Sequence, residues 1–247
     1  MQTGRIGSVG LSSRRSSAPP HRGQKQYACE SSWGCSSKGG TVLVAGARVG
    51  ARATQYNSRD MSILKIARMG HPALRVKARA IERADIRGPA VQKLIDDMIE
   101  TMIEYRGVGL AAPQVHEGVR LFVATLPADD DEDEGEAGRE DEDDARSGTV
   151  VIINPELIPV RSETLEDWEG CLSIPDIRGR VPRAREIIVR AFDRFGERIE
   201  LRAHDYPARV IQHETDHLDG ILFFDRMRSF ESLTFLEEYS KYSVKDK

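Results

Sequence analysis

The pentapeptide His213-Glu214-Thr215-Asp216-His217 constrains this chain more than any other stretch. Histidines at i and i+4 share a face when the backbone is α-helical, and from that face both can reach one metal ion. Glu214, one residue after the first imidazole, can face a water on that ion, take its proton and later deliver it to a leaving amine. A pair of helix-surface histidines is the plain alternative for these five residues taken alone.

A third donor is found upstream. Of the three cysteines, Cys29 and Cys35 lie near the N-terminus and Cys171 stands alone in the rest. A disulfide framework is thereby excluded there, a reducing compartment fits, and Cys171 is left with either inert burial or thiolate chemistry. It sits in Glu169-Gly170-Cys171-Leu172-Ser173-Ile174-Pro175. A Cys/His/His set with an open fourth position is the pattern of a catalytic rather than a structural site. A lone cysteine is ordinarily a small buried hydrophobe. Here Gly170 permits close approach of backbone to a ligand, and the Leu172 N–H can then point at the oxygen of a carbonyl under attack. A third segment, Gly107-Val108-Gly109-Leu110-Ala111-Ala112-Pro113-Gln114, reads as a turn into a strand. It reads equally as a backbone rim for an extended peptide, with Gln114 a second donor to the oxyanion.

Charge divides the 247 residues into unlike regions. Residues 1–60 hold nine basic side chains against two acidic ones, and Asp129–Asp144 holds twelve carboxylates against Arg139 alone, so the −4 of the whole leaves the remainder neutral. A neutral core lacks the concentrated basic surface that nucleic-acid binding needs. No run of about 18 apolar residues offers a membrane span. The first sixty residues, rich in Ser, Gly and Arg and poor in acids, read as an organelle transit segment, with a native disordered tail or an upstream misassigned start as alternatives. Residues 128–148 read as a mobile acidic insertion, since dense carboxylates repel and have nothing apolar to bury. Between them, Val91, Leu94, Ile95, Met98, Ile99, Met102 and Ile103 predict an amphipathic helix over Pro89–Glu104, begun by Pro89 and ended by Gly107. Strands are predicted at Val119–Thr125, Thr149–Asn154, Glu186–Asp193 and Glu197–Arg202. Helices follow at Ala208–His217 and Phe230–Tyr242, the latter with Leu233, Leu236 and Tyr239 on one stripe.

The three motif segments, in this order, resemble the signatures G-x-G-L-A-A-x-Q, E-G-C-L-S and Q-H-E-x-D-H of the peptide deformylase family. The resemblance covers about Ile63–Met227 and implies one catalytic domain over 61–228, with a C-terminal helix and tail over 229–247. It implies an α+β fold in which β-sheets surround the helix bearing both histidines. It also implies metal ligands Cys171, His213 and His217, usually for Fe2+ with Zn2+ possible, Glu214 as general acid/base, and Gln114 with the Leu172 N–H holding the oxyanion. The reaction implied is attack of metal-activated hydroxide on the formyl carbon of N-formylmethionyl nascent peptides, giving formate and a free amine. Val108, Gly109 and Gly170 match peptide-contact positions; Tyr206, Arg209 and Val210 match the pocket for the first side chain. Arg209 departs from the aliphatic residue of many bacterial members, its stem expected to line the pocket while its guanidinium reaches solvent. Glu169 and Arg183 are expected to form a salt bridge beneath the site.

Two rivals stand beside this reading. In a zinc metallopeptidase, Glu237 would be the third ligand, which leaves the Gly-Cys-Leu and Gly-Leu-Ala-Ala segments unexplained. In a fold retained for binding alone, catalysis would be lost, although the ligands and Glu214 are intact. Leader composition points to an organelle, and the E-G-C-L-S-I-P and Ile221–Met227 blocks resemble plastid-type plant and algal enzymes. The expected site of action is organellar ribosomes, in the plastid first and the mitochondrion second.

Overall fold

Helix α1 runs Pro89–Glu104, with Gly88 as N-cap and Pro89 in its first turn, where a missing N–H costs nothing. It is anchored by the fully buried Ile95, Met98 and Met102. It stops in a double turn: Arg106 N–H donates to Ile103 O (2.9 Å) and Gly107 N–H to Met102 O (2.8 Å). The left-handed residue is Arg106 (φ 52°), not the expected glycine. Gly107 follows one place later, where a Cβ would lie 2.8 Å from Leu172 Cδ1 and the leucine would have to shift.

The computed structural model describes residues 62–126 and 148–243, together with the backbone of Val42–Val44. The rest of the 1–60 leader and almost all of the acidic insertion lie outside the described residues, as does the unit Met1–Ser32; everything described falls within the unit Trp33–Lys247.

Among the described residues, nine strands form two antiparallel sheets: β1 (Val42–Val44), β2 (Gly109–Ala111), β3 (Leu121–Thr125), β4 (Thr149–Pro159), β5 (Thr164–Cys171), β6 (Ile174–Ala184), β7 (Glu186–Phe192), β8 (Arg198–His204) and β9 (Thr234–Phe235). The six-stranded sheet has the order β1-β8-β7-β4-β3-β2, the three-stranded one β5-β6-β9. Helix α2 (Asp205–Leu218) packs against both, which gives the expected α+β arrangement around the histidine-bearing helix. One part of the leader thus enters the sheet: Val42 pairs with Ala203 and Val44 with Leu201 on the β8 edge.

Alternation along β3 shows why this strand is buried on both faces. Leu121 and Val123 join the α1 core with Met98 and Ile153, while Phe122 and Ala124 join the α2 core with Ile152, Ala208 and Ile211. Strand β4 outruns its expected end because Asn154 (φ 53°) absorbs an irregularity in register, with its amide bonded to both Ile81 N (2.9 Å) and Ile81 O (2.8 Å).

The β5–β6 hairpin carries the cysteine. Cys171 pairs with Ile174 across the two-residue turn Leu172–Ser173, and a shift in register falls between Glu169 and Cys171. A bulge there re-aims the side chains that follow it.

The C-terminal helix is shorter than its periodicity suggests. Thr234–Phe235 pairs with β6 as a strand, and only Leu236–Glu238 (α3) and a π-type turn at Tyr239–Ser243 are helical. Of the presumed stripe only Tyr239 is buried, edge-on to Trp168 at 4.9 Å. Tyr239→Ala is therefore expected to lower stability by about 2 kcal/mol, from lost apolar area plus the ring contact. Urea unfolding measures it, and a change under about 0.5 kcal/mol would mean that the C-terminal segment does not brace the hairpin.

Candidate metal centre and active site

Cys171 at the end of β5 and His213 and His217 on α2 converge, all buried, with donor atoms within 4.8 Å of one another; they form the one such His/Cys/Asp/Glu group among the described residues. Cys171 Sγ lies 3.2 Å from His217 Nε2. The two imidazoles meet edge to face at 5.0 Å, one helical turn apart. His213 commits Nδ1 to Glu169 Oε2 at 2.9 Å, which leaves Nε2 to face the group. One thiolate and two imidazoles at this spacing suit a single zinc- or iron-type ion with a position left open. Glu237, by contrast, is exposed and bonded to Lys241 (2.7 Å), outside the donor group, so the metallopeptidase reading loses its third ligand.

Beneath the donors lies a charged network. Arg183 holds Glu169 in a fork, Nε to Oε1 at 2.8 Å and Nη2 to Oε2 at 3.0 Å, and reaches Asp216 with Nη1. Asp216 also accepts from Arg226 Nη2 at 2.7 Å. Burial alone would raise the Glu169 carboxyl, but hydrogen bonds from Arg183 and His213, with their charges, hold it well below the usual carboxylate range. For His213, burial opposes the charged form, yet contacts with Cys171 and Glu169 outweigh it and push the imidazole up. His217 is pushed down by burial and by the His213 charge.

Arg209 is a correction to the sequence reading. Its guanidinium does not reach solvent: the residue is 3% exposed, and Nη1 donates to Glu169 Oε1 and Val181 O, both at 2.8 Å. A buried guanidinium keeps its charge only where acceptors replace water, and the carboxylate and hairpin carbonyls supply them. Sequence reasoning also passed over Asp216, the residue between the histidines that anchors Arg183 and Arg226; its acidic type inside a helix facing a core was the available signal.

The Glu214 carboxyl is pushed up to about 7, chiefly by burial. Its Oε2 is buried without a hydrogen-bond partner, and its Oε1 lies where a Cβ on Gly109 would come within 2.3 Å. Gly109 thus makes room for the acid/base candidate from its own chain. Gly109→Ala is expected to displace Glu214 and reduce kcat about 10- to 100-fold with little change in KM, since a misplaced catalytic group costs rate more than binding. Unchanged kcat in steady-state formate release would show that Glu214 is free to shift.

Gln114 is held by its own loop, with Oε1 accepting from Ala111 N–H at 2.8 Å, so its Nε2 points to Cys171 Sγ (3.5 Å) and Ser173 Oγ (3.2 Å). Leu172 lies in the turn directly after Cys171. A small cavity beside the donors is lined by Val108, Glu169, Arg209, Val210, His213 and Glu214. Tyr206 is not among its lining residues and packs on the α2 core instead. Gly170 is covered by Arg178, whose Nη1 would be 2.2 Å from a Cβ there.

Residues 63–232 match the family model described as polypeptide deformylase. A protein named peptide deformylase 2 from Nostoc sp. is 40% identical over 187 residues, 74% of this chain and 97% of that protein. A peptide deformylase from Thermus thermophilus is 47% identical over 169 residues, 68% of this chain and 84% of that protein. Among solved structures, the Met-Ala-Ser-bound class I type b peptide deformylase from Acinetobacter baumannii is similar at TM-score 0.57 and 35% identity, over 67% of this chain and 99% of that one.

Proposed function

Since the chain belongs to the polypeptide deformylase family and removes the N-terminal formyl group of nascent peptides in a metal-dependent reaction, we propose that Cys171, His213 and His217 hold the ion and that Fe2+ is the native one. The observation that carries the ligand assignment is the convergence of those three donors beside a buried Glu214, and the choice of Fe2+ follows the family resemblance. A divalent ion held there supplies Lewis acidity to water and to the formyl carbonyl. Glu214 takes the proton of the attacking water and passes it to the departing amine, so that water and the formamide become formate and a free N-terminus. The Gln114 amide and the Leu172 N–H steady the oxygen that gains charge at the tetrahedral stage. Val108 and Val210 offer apolar walls to the first side chain, and Gly109 offers backbone to an extended peptide. The relative solved with Met-Ala-Ser bound supports a methionyl peptide as the ligand of such a site.

The further reading is organellar. A basic, acid-poor leader over residues 1–60 supports import, and the Glu169–Pro175 and Ile221–Met227 blocks favour a plastid-type enzyme acting on chains at plastid ribosomes, with the mitochondrion second. No helix among the described residues is long and apolar enough to cross a membrane. The deciding experiment purifies the protein without oxygen, quantifies its metal, and compares formate release from formyl-Met-Ala-Ser with hydrolysis of acetyl-Met-Ala-Ser. Turnover confined to the formyl peptide and metal lost in Cys171→Ala support the assignment; a Cys171→Ala protein that keeps its metal overturns it. Import of a leader fusion into isolated plastids tests the location.

A further inference from the structure

Arg209 stands one helical turn before His213 on α2 and is almost wholly buried. Besides Glu169 Oε1 and Val181 O, its guanidinium reaches Leu165 O through Nη2 at 2.6 Å and Asp167 O through Nη1 at 3.3 Å. Leu165 and Asp167 belong to β5 and Val181 to β6, so one side chain joins the histidine helix to both strands of the hairpin that ends in Cys171. It also bonds the carboxylate that orients His213. Arg183 makes the reverse connection, from β6 to Asp216 on the helix. Two guanidiniums, one rooted on each element, therefore join the same pair of elements, and both bond Glu169 Oε1.

A pocket wall alone would be served by an alkyl side chain, without the cost of burying a cation. The acceptors of Arg209 lie on both strands of the hairpin that carries the thiolate, and a planar fork fixes direction as well as distance. We propose that Arg209 is a positioning residue for the metal donor set, holding the Cys171 hairpin and the His213–His217 helix in register for one ion. This rests on the reading that those three side chains bind the metal.

The test loads Co2+ into the full-length protein and into Arg209→Lys and Arg209→Leu. It records the thiolate-to-cobalt absorption, the rate of Co2+ loss to excess EDTA, kcat and KM for formate release, and urea stability. Arg209→Leu is expected to shift the thiolate band, to release Co2+ about 10- to 100-fold faster and to lower kcat more than it raises KM. Arg209→Lys, which keeps the charge but cannot fork to three carbonyls, is expected to fall between. A wild-type band and a release rate within about twofold of wild type in Arg209→Leu, whatever happens to its urea stability, would overturn the proposal and leave Arg209 a packing residue. If Arg209→Leu does not fold, Arg209→Lys decides on the same readouts. Wild-type protein without any thiolate-to-cobalt absorption would instead defeat the assignment of Cys171 as ligand, an outcome distinct from failure of the Arg209 inference alone.

Discussion

Replacing Glu214 with glutamine is expected to lower kcat for formate release by about 10²- to 10⁴-fold while bound metal stays at the wild-type level, the range over which a positioned proton carrier contributes. Glutamine has the shape of the carboxyl, but its amide neither takes up nor releases a proton near neutral pH. The side chain is closed in by Gly109 and by its own helix, so the isostere keeps its place. Burial holds the group near 7, where it can both accept and donate at neutral pH. The proposed metal donors, Cys171, His213 and His217, are separate side chains, which is why metal content should not change. Glu214→Asp, shortened by one methylene, should retain part of the rate, since a carboxylate remains but is withdrawn from the reacting atoms. A Glu214→Gln enzyme with more than about a tenth of wild-type kcat would move the proton transfers to another group.

How much of this was legible in the sequence follows from where each interaction partner sits. Helix α1 could be read to its ends because its signal is local: apolar residues at helical spacing and a proline where a proline fits. The candidate donor group was legible by residue type and by the i, i+4 spacing of His213 and His217, although nothing in the spacing says that β5 delivers Cys171 to them. Arg209 was misjudged because arginine on a helix usually faces water. The groups that hold it are backbone carbonyls of Leu165, Asp167 and Val181, and a carbonyl carries no residue signature. Phe230–Tyr242 was misread for a related reason. Its three-residue spacing suits a helix, but the open edge of β6 takes Thr234–Phe235 as a strand, a tertiary contact that outweighs local periodicity. Gly109 was assigned to peptide contact, whereas the structure adds an intramolecular demand, room for Glu214.

Glu169→Gln is expected to destabilise the protein by about 3–5 kcal/mol, the cost of removing one partner from a buried ionic cluster. The wild-type carboxylate, 1% exposed, faces the guanidiniums of Arg183 and Arg209 and the imidazole of His213. The amide occupies the same volume, so no cavity forms; what is lost is the charge that two buried cations require. Against a typical stability of roughly 5–15 kcal/mol this is a large fraction, and urea unfolding of the metal-free protein reads it without interference from the ion. The acid limb of stability gives an independent check. In the unfolded chain Glu169 titrates near its ordinary 4.5, whereas in the fold the Arg183 and His213 hydrogen bonds, overcoming burial, keep it ionised to lower pH. Its contribution is therefore complete above about 4.5 and is lost as pH falls toward the depressed folded value. Glu169→Gln has no such contribution to lose, so its stability should vary less with pH below 4.5 than the wild type's. Parallel curves in that range, or a neutral-pH loss under about 1 kcal/mol, would mean that Arg183 and Arg209 find other acceptors and that Glu169 serves only to aim His213.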